Sequence, residues 1–313
     1  MARVGVPVID MQKVEGSSGE IVKAFEEWGC FRMVNHGVPS QLMADMKAVT
    51  SSLFDLPEKI QDWTANTKHG MRYIKRGVIN PFCEGLSISN ILSVDNLCDN
   101  LVVSTHQREI IHKYTKAIHD LARLLGRKLM KGHGLIGDLF DGWCCELRMI
   151  KYHFCQESVG LSGTDLHSDH TFLTILLDDE NLNGLLVVDK YSGEFVTIDH
   201  VPDTLVVNAG DIGKIWSNGR YCNVLHKVRC LEPKVCYSIA FLCLDQPIQR
   251  WKHHQNWLTR ITLVFMFPLI IRNTSKFEHQ SEQSSVVPLT CLASTPLHKL
   301  NYMYVSVCLL LMS

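Results

Sequence analysis

The sequence predicts a chain that is mainly β with added α: a barrel or double-sheet jelly roll in its second half, flanked by helices from its first. Two observations carry this expectation. From residue 146 to residue 244, eight short apolar segments follow one another with turn residues between them, the spacing of a closed or two-sheet β architecture. Before them, Ile111, Tyr114, Ile118, Leu121 and Leu125 recur at intervals of three and four, which places them on one face of a long helix.

From the N-terminus, VPVID (6–10) is a short strand candidate. In the segment SSGEIVKAFEEWG, Ser17 and Glu20 have capping-box spacing, and Ile21, Ala24, Phe25 and Trp28 share one helical face until Gly29 ends it. CFRMVNH (30–36) reads as a strand, and Pro39-Ser40 opens a second helix with Leu42, Met43, Met46, Val49 and Leu53 inward. Residues 60–105 are rich in Gly, Asn and Ser and show no readable period. The long helix, about His106 to Lys131, is stopped by Gly132 and Gly134 and is expected to pack on a sheet. The strand candidates beyond it are ELRMIKYHF, FLTILL, GLLVVDK, EFVTID, TLVVNAGD, GKIWSN, NVLHKVR and VCYSIAFLCL. A jelly roll of such strands leaves a mouth between its sheets where a small ligand binds. Past Pro247 the pattern is lost. The expected organisation is an N-terminal region (5–105), a packing helix with its connection (106–145), a β core (146–247) and an atypical tail (248–313).

Composition narrows the function classes. Hydrophobic residues are 46% and charged residues 20% of 313, with a net charge of −1, an ordinary soluble profile with no basic stripe for nucleic acid and no charge for an anionic membrane. The start, MARVGVPVIDMQKVEG, has no apolar signal region, and twelve cysteines lie scattered without a CxxC pair. Reduced thiols and a cytoplasmic location are therefore expected. The apolar runs ITLVFMFPLII (261–271) and YMYVSVCLLLM (302–312) fall short of the ~20 residues a membrane span needs. Neither composition nor spacing points to a protein partner.

The chemistry concentrates at LHSDH (166–170). His167 and Asp169 at i and i+2 face the same side of an extended segment, and His226 lies on a later strand candidate, 59 residues on. Two imidazoles and a carboxylate on one face make the facial triad of non-heme Fe(II) oxygenases, although a polar loop before a buried strand would look the same. His170 points to the opposite face and is not counted as a ligand.

Three ordered blocks resemble the plant 2-oxoglutarate/Fe(II)-dependent dioxygenases over about residues 5–247: VPVIDM…AFEEWGCFRMVNHGV, LHSDHTFLTILLDDENLNGLLVVD and TLVVNAGDIGKIWSNGRYCNVLHKVRC. NPFCEGL, STHQREIIHKYTKAIHDLARLLGRKL and RMIKYHF are most similar to the family's auxin-oxidising branch. The resemblance implies a double-stranded β-helix (jelly-roll) core with N-terminal helices around it. It implies Fe(II) on His167, Asp169 and His226, with Tyr152 and Ser238 binding 2-oxoglutarate and O2 as the oxidant. The implied reaction is oxidation of a small organic acid, an auxin such as indole-3-acetic acid (to its 2-oxindole form) foremost, coupled to decarboxylation of 2-oxoglutarate to succinate. A catalytically impaired relative, or an oxygenase of another plant hormone or secondary metabolite, is the alternative.

This chain departs from the family in three places. Where an Arg-x-Ser motif would hold the far carboxylate of 2-oxoglutarate, it has Cys236, Tyr237 and Ser238. A thiol offers neither the charge nor the fork of a guanidinium, and losing one charged hydrogen bond costs ~1.5–3 kcal/mol. Lys234, two residues earlier, could compensate by bending its stem back. In R-x-N-x-Y the amide becomes Ile150, between Arg148 and Tyr152. Where family members continue to a helix that helps close the substrate pocket, the tail past Pro247 matches no such pattern, and a read-through or alternatively spliced end is expected rather than an evolved module.

Overall fold

The computed structural model describes residues 5–13, 16–56, 71–78, 80–88, 95, 98, 103–182 and 184–244. The chain divides into two units, Met1–Lys252 and His253–Ser313. The second unit and the whole of the atypical tail (248–313) lie outside the described residues.

In chain order the first elements are β1 (Val8–Asp10), α1 (Ser17–Glu27), β2 (Cys30–Val34), α2 (Ser40–Phe54), β3 (Met71–Ile74), β4 (Cys83–Ile88) and α3 (Thr105–Gly132). Then follow β5 (Cys145–His153), β6 (Ser162–His167), β7 (Leu173–Asp178), β8 (Leu185–Val188) and β9 (Phe195–Thr197). The last are β10 (Leu205–Ala209), α4 (Asp211–Trp216), β11 (His226–Arg229) and β12 (Val235–Cys243). An eight-stranded sheet runs β1-β2-β10-β7-β12-β5-β4-β3, and a four-stranded sheet runs β6-β11-β8-β9. This is the jelly-roll arrangement expected of the β-rich half.

Strand alternation explains why the described residues form two buried clusters. On β2, Phe31 and Met33 join one buried cluster while Cys30 joins the other; on β10, Leu205 and Val207 separate from Val206 in the same way. Successive side chains leave a strand on opposite faces, so one face of the large sheet meets the helices and the other meets the small sheet. The helical face collects Ile21 and Phe25 of α1, Met46 and Val49 of α2, and Ile111, Ile118 and Leu125 of α3. The stripe on α3 is buried throughout. That helix packs on α1 and α2 as well as on the sheet, where His119 meets Phe241 with ring centroids 6.3 Å apart. The inner face, with Tyr152, Leu185, Val187, Val206 and Val228, surrounds the space between the sheets.

Several local expectations are corrected. Helix α1 is capped by Gly16 with no side-chain cap; Ser17 is buried inside its first turn and accepts a hydrogen bond from Lys128 Nζ at 2.7 Å. The capping box belongs to α3, between Ser104 and Gln107. The segment GKIWSN is not a strand but part of α4 and the turn after it. β6, β3 and β4 were not foreseen. The cysteines among the described residues are all unbridged, and no helix among those residues is long and apolar enough to cross a membrane.

Candidate metal centre

The site begins as a matter of register. In the antiparallel pair β6–β11, His167 lies directly opposite His226, so two imidazoles far apart in sequence stand side by side with ring centroids 4.3 Å apart. Directly paired residues on one face of a sheet bring their side chains into contact. Asp169 follows two residues past the end of β6, in the turn that feeds β7.

Backbone bonds fix that turn. Asp211 N–H donates to the Asp169 carbonyl at 2.8 Å, Ile212 N–H to Thr171 at 3.1 Å, and Gly210 N–H to Phe172 at 3.0 Å. A Cβ on Gly210 would lie 2.2 Å from the Thr171 carbonyl and 2.6 Å from that of Asp169, so the approach requires glycine. The buried Asp211 carboxylate accepts from Ser168 at 2.9 Å and Asn223 at 2.6 Å, and His170 Nδ1 lies 3.2 Å from it. His170 therefore braces the turn from its far side and stands apart from the triad.

The three donor atoms of His167, Asp169 and His226 all lie within 4.8 Å of one another. Asp169 Oδ1 is 3.5 Å from His167 Nε2 and 3.8 Å from His226 Nε2. Each ring has Nδ1 against a backbone carbonyl two residues earlier, Asp165 at 2.7 Å and Val224 at 3.2 Å. A carbonyl only accepts, so Nδ1 carries the proton and Nε2 presents its lone pair to the triad's centre. The carboxylate is oriented in the same way: Oδ2 accepts from Thr174 at 2.5 Å and Asn208 at 2.8 Å, which leaves Oδ1 facing the imidazoles.

The electrostatics agree with a cation site. Burial alone would raise the Asp169 carboxyl, but the adjoining His167 imidazole, the nearby His226 and the bonds from Thr174 and Asn208 hold it well below the usual carboxylate range. Burial lowers His226 and keeps its ring neutral, with partial opposition from Asp169. His167 is also lowered by burial, yet Asp169 and the Asp165 carbonyl more than offset this and raise it. A carboxylate that stays ionised and two imidazoles with inward lone pairs match the donor set of Fe(II) with open positions.

A cavity of about 90 Å³ opens beside the triad, lined by Tyr152, Thr164, Ser238 and Ile150 among others. Tyr152 hydroxyl lies 3.3 Å from Thr164 Oγ1; burial pushes it up to about 12 against the hydrogen bonds of Ser238 and Thr164. Cys236, directly opposite Tyr152 across β5–β12, is fully buried. Burial first, then Asp179 and Cys230, push its thiol up to about 12, so it is neutral. Lys234 does not bend back: it precedes β12, its side chain is 56% exposed, and Nζ sits 2.6 Å from Glu232. The compensation considered from sequence is not made. The residues present fit the metal, and Cys236 brings no charge to the position where the resemblance implies an arginine for 2-oxoglutarate.

Sequence reasoning missed Thr174, Asn208 and a buried network behind them. Arg32 on β2 donates to Asp178 at 3.1 Å and to Thr204 at 2.7 Å, and His200 Nδ1 is 3.1 Å from the same carboxylate. Each of Arg32, Asp178 and Asn208 is a polar residue inside an apolar strand. That was the available signal, because such groups survive burial only with partners.

Comparison with known proteins places this geometry. Residues 143–245 match the 2OG-Fe(II) oxygenase superfamily, and residues 6–84 match the N-terminal family of the non-haem dioxygenase in morphine synthesis. A 2-oxoglutarate-dependent dioxygenase DAO from Oryza sativa subsp. indica is 38% identical over 249 residues, 77% of this chain and 83% of that relative. Gibberellin 3-beta-dioxygenase 4 of Arabidopsis thaliana is 30% identical, over 76% of this chain and 71% of its own. Among solved structures, the dioxygenase for auxin oxidation 1 from Arabidopsis thaliana in its 2-oxoglutarate complex has a TM-score of 0.77 at 42% identity, covering 81% of this chain and 98% of that one.

Proposed function

The chain belongs to the 2OG-Fe(II) oxygenase superfamily, and from that premise we propose that it oxidises a small organic acid of the auxin type, with His167, Asp169 and His226 as its iron ligands. The family's cofactors are Fe(II) and 2-oxoglutarate, with O2 as the oxidant. The observation that carries the reading is the convergence of two Nε2 lone pairs and one Asp169 oxygen at a cavity wall.

Iron bound there would supply the redox chemistry that activates O2. The chain's own residues do the rest. The Asp165 and Val224 carbonyls hold the imidazole protons on Nδ1, away from the metal face. Thr174 and Asn208 hold one Asp169 oxygen so that the other points at the site. Leu185, Val187, Val206 and Val228 keep the inner wall dry, which strengthens every charge interaction inside. Likeness to the dioxygenases for auxin oxidation of rice and Arabidopsis supports the indole-acid substrate. The neutral Cys236 favours a second reading, an impaired relative that binds iron without turnover.

The test is to load the full chain anaerobically with Fe(II), admit O2 with indole-3-acetic acid and a panel of 2-oxo acids, and follow products by mass. We expect an oxygenated indole acid that is absent from His226→Ala. Iron-loaded protein that leaves the indole acid untouched with every 2-oxo acid would reject the substrate assignment.

A further inference from the structure

We infer that the cavity beside the triad selects a 2-oxo acid with an uncharged tail over the dicarboxylate 2-oxoglutarate, an inference that rests on the iron-centre reading above. A 2-oxo acid grips a metal through its keto oxygen and the adjacent carboxylate. Its tail is then directed away from the triad, towards whatever the cavity offers there.

Among the described residues its lining is mostly apolar, and the one Arg or Lys in it, Arg148, is already paired. Leu182, Leu185, Val187, Val206 and Val228 belong to the inner cluster and line the cavity, with Tyr152 and Ser238 between them. Arg148, Arg32 and Lys234, on or beside β5, β2 and β12, are each already committed. Arg148 lines the cavity but puts Nε and Nη2 on one oxygen of Glu146, at 3.0 and 2.8 Å; its charge acts at the His167 end. Arg32 is absorbed by Asp178 and Thr204. Lys234 is turned outward to Glu232. Next to that lining, and paired with Tyr152 across β5–β12, Cys236 is a buried neutral thiol on which the negative charge of Asp179 acts. Asp179 is fixed beside it, accepting the Tyr237 N–H at 3.2 Å.

A carboxylate driven into that end would be buried without a counter-charge and beside a like charge, the arrangement that burial penalises most. The hydroxyls of Tyr152, Thr164 and Ser238 already bond one another and carry no charge to offset it. A branched hydrocarbon tail of equal length meets the same wall at no such cost. The redox balance of the family reaction is kept. The C1–C2 bond of the 2-oxo acid breaks and CO2 leaves, which supplies two electrons, and the organic substrate supplies two more. One atom of O2 ends in the shortened carboxylic acid and the other in the oxidised substrate.

Binding tests this without turnover. The full chain, loaded with Co(II) under exclusion of O2, is titrated in a calorimeter with 2-oxoglutarate and with 4-methyl-2-oxopentanoate. We expect the branched acid to bind tighter by about ten- to a hundred-fold, the worth of one missing charged hydrogen bond. Cys236→Arg should reverse the order. Asp179→Asn, which keeps an acceptor for Tyr237, should strengthen 2-oxoglutarate alone and serves if the arginine variant does not fold. Tighter binding of 2-oxoglutarate to the unaltered protein overturns the inference and leaves the iron centre standing, as does binding of neither acid to protein that has taken up Co(II). Failure to take up Co(II) overturns the iron centre itself, and this inference with it.

Discussion

Asn208→Leu should weaken metal binding without unfolding the protein. In the structure Asn208 Nδ2 donates to Asp169 Oδ2 at 2.8 Å, alongside Thr174 at 2.5 Å. These two bonds decide which carboxylate oxygen is free to face the imidazoles. A hydrogen bond to a charged group contributes about 1.5–3 kcal/mol, and loss of an outer partner of a metal ligand costs about 10- to 100-fold in affinity. The two scales agree, since 1.4 kcal/mol is about a factor of ten. Leucine has the same heavy-atom count and Cγ branching as asparagine, so the strand should keep its backbone and most of its packing. The assay is calorimetric titration of Co(II) into metal-free wild type, Asn208→Leu, Thr174→Val and the double variant, with thermal unfolding of each metal-free protein alongside. Because the two donors share one oxygen, the double variant should not equal the sum of the singles. An unchanged Co(II) affinity in Asn208→Leu, with unaltered unfolding, would refute the claim that Asp169 is oriented from its far oxygen.

The remaining predictions concern the triad, the turn and the buried ion pair. His167→Ala and His226→Ala should each abolish Co(II) binding measured by equilibrium dialysis, while His170→Ala, whose ring pairs with Asp211 outside the triad, should retain it. Gly210→Ala drives a methyl into the Thr171 and Asp169 carbonyls; dialysis should show lost metal and urea titration a lower midpoint. Arg32→Leu strands the Asp178 carboxylate, whose side chain is 1% exposed; chemical denaturation should record a loss of about 3–5 kcal/mol. Burial alone would raise Asp178, but the bonds from His200 and Arg32 outweigh it and hold the carboxyl below its ordinary value. A depressed folded pKa adds stability above the unfolded value, about 3.9, that is lost as pH falls below it. The fall in stability below about pH 4 should therefore be shallower in Asp178→Asn, and an equally steep fall would exclude this carboxylate as its cause.

Much of the architecture was legible because period and burial coincide. The stripe Ile111, Tyr114, Ile118, Leu121 and Leu125 reads as a helix since each of those residues is buried. LTILL and LVVNA read as strands since both of their faces are covered. GKIWSN misled because a short apolar run has no period of its own; what makes it helical is the turn at Gly210 and the bonds that tie Asp211 and Ile212 to the loop before β7. β6 escaped notice for the opposite reason. SGTDLH is an edge strand with only one apolar residue beyond its glycine, and that residue, Leu166, is exposed. The triad residues could be named from spacing and resemblance, yet nothing local said that His167 and His226 would be direct cross-strand partners. Thr174, Asn208 and Asp211 act on the site from other strands and turns, and only the assembled sheet shows it.

The pairing of His167 with His226 across one ladder also has a consequence for how the chain comes together. An ion held by both would tie off a loop of 59 residues in the manner of a covalent crosslink. Closing a loop of that length removes about 4 kcal/mol of freedom from the unfolded chain in the usual chain-entropy treatment. Everything from β7 to α4 lies inside that loop. Metal capture would thus act as a fastener for the β-rich half, and loss of the ion would leave its strands easier to unzip as well as removing the redox centre.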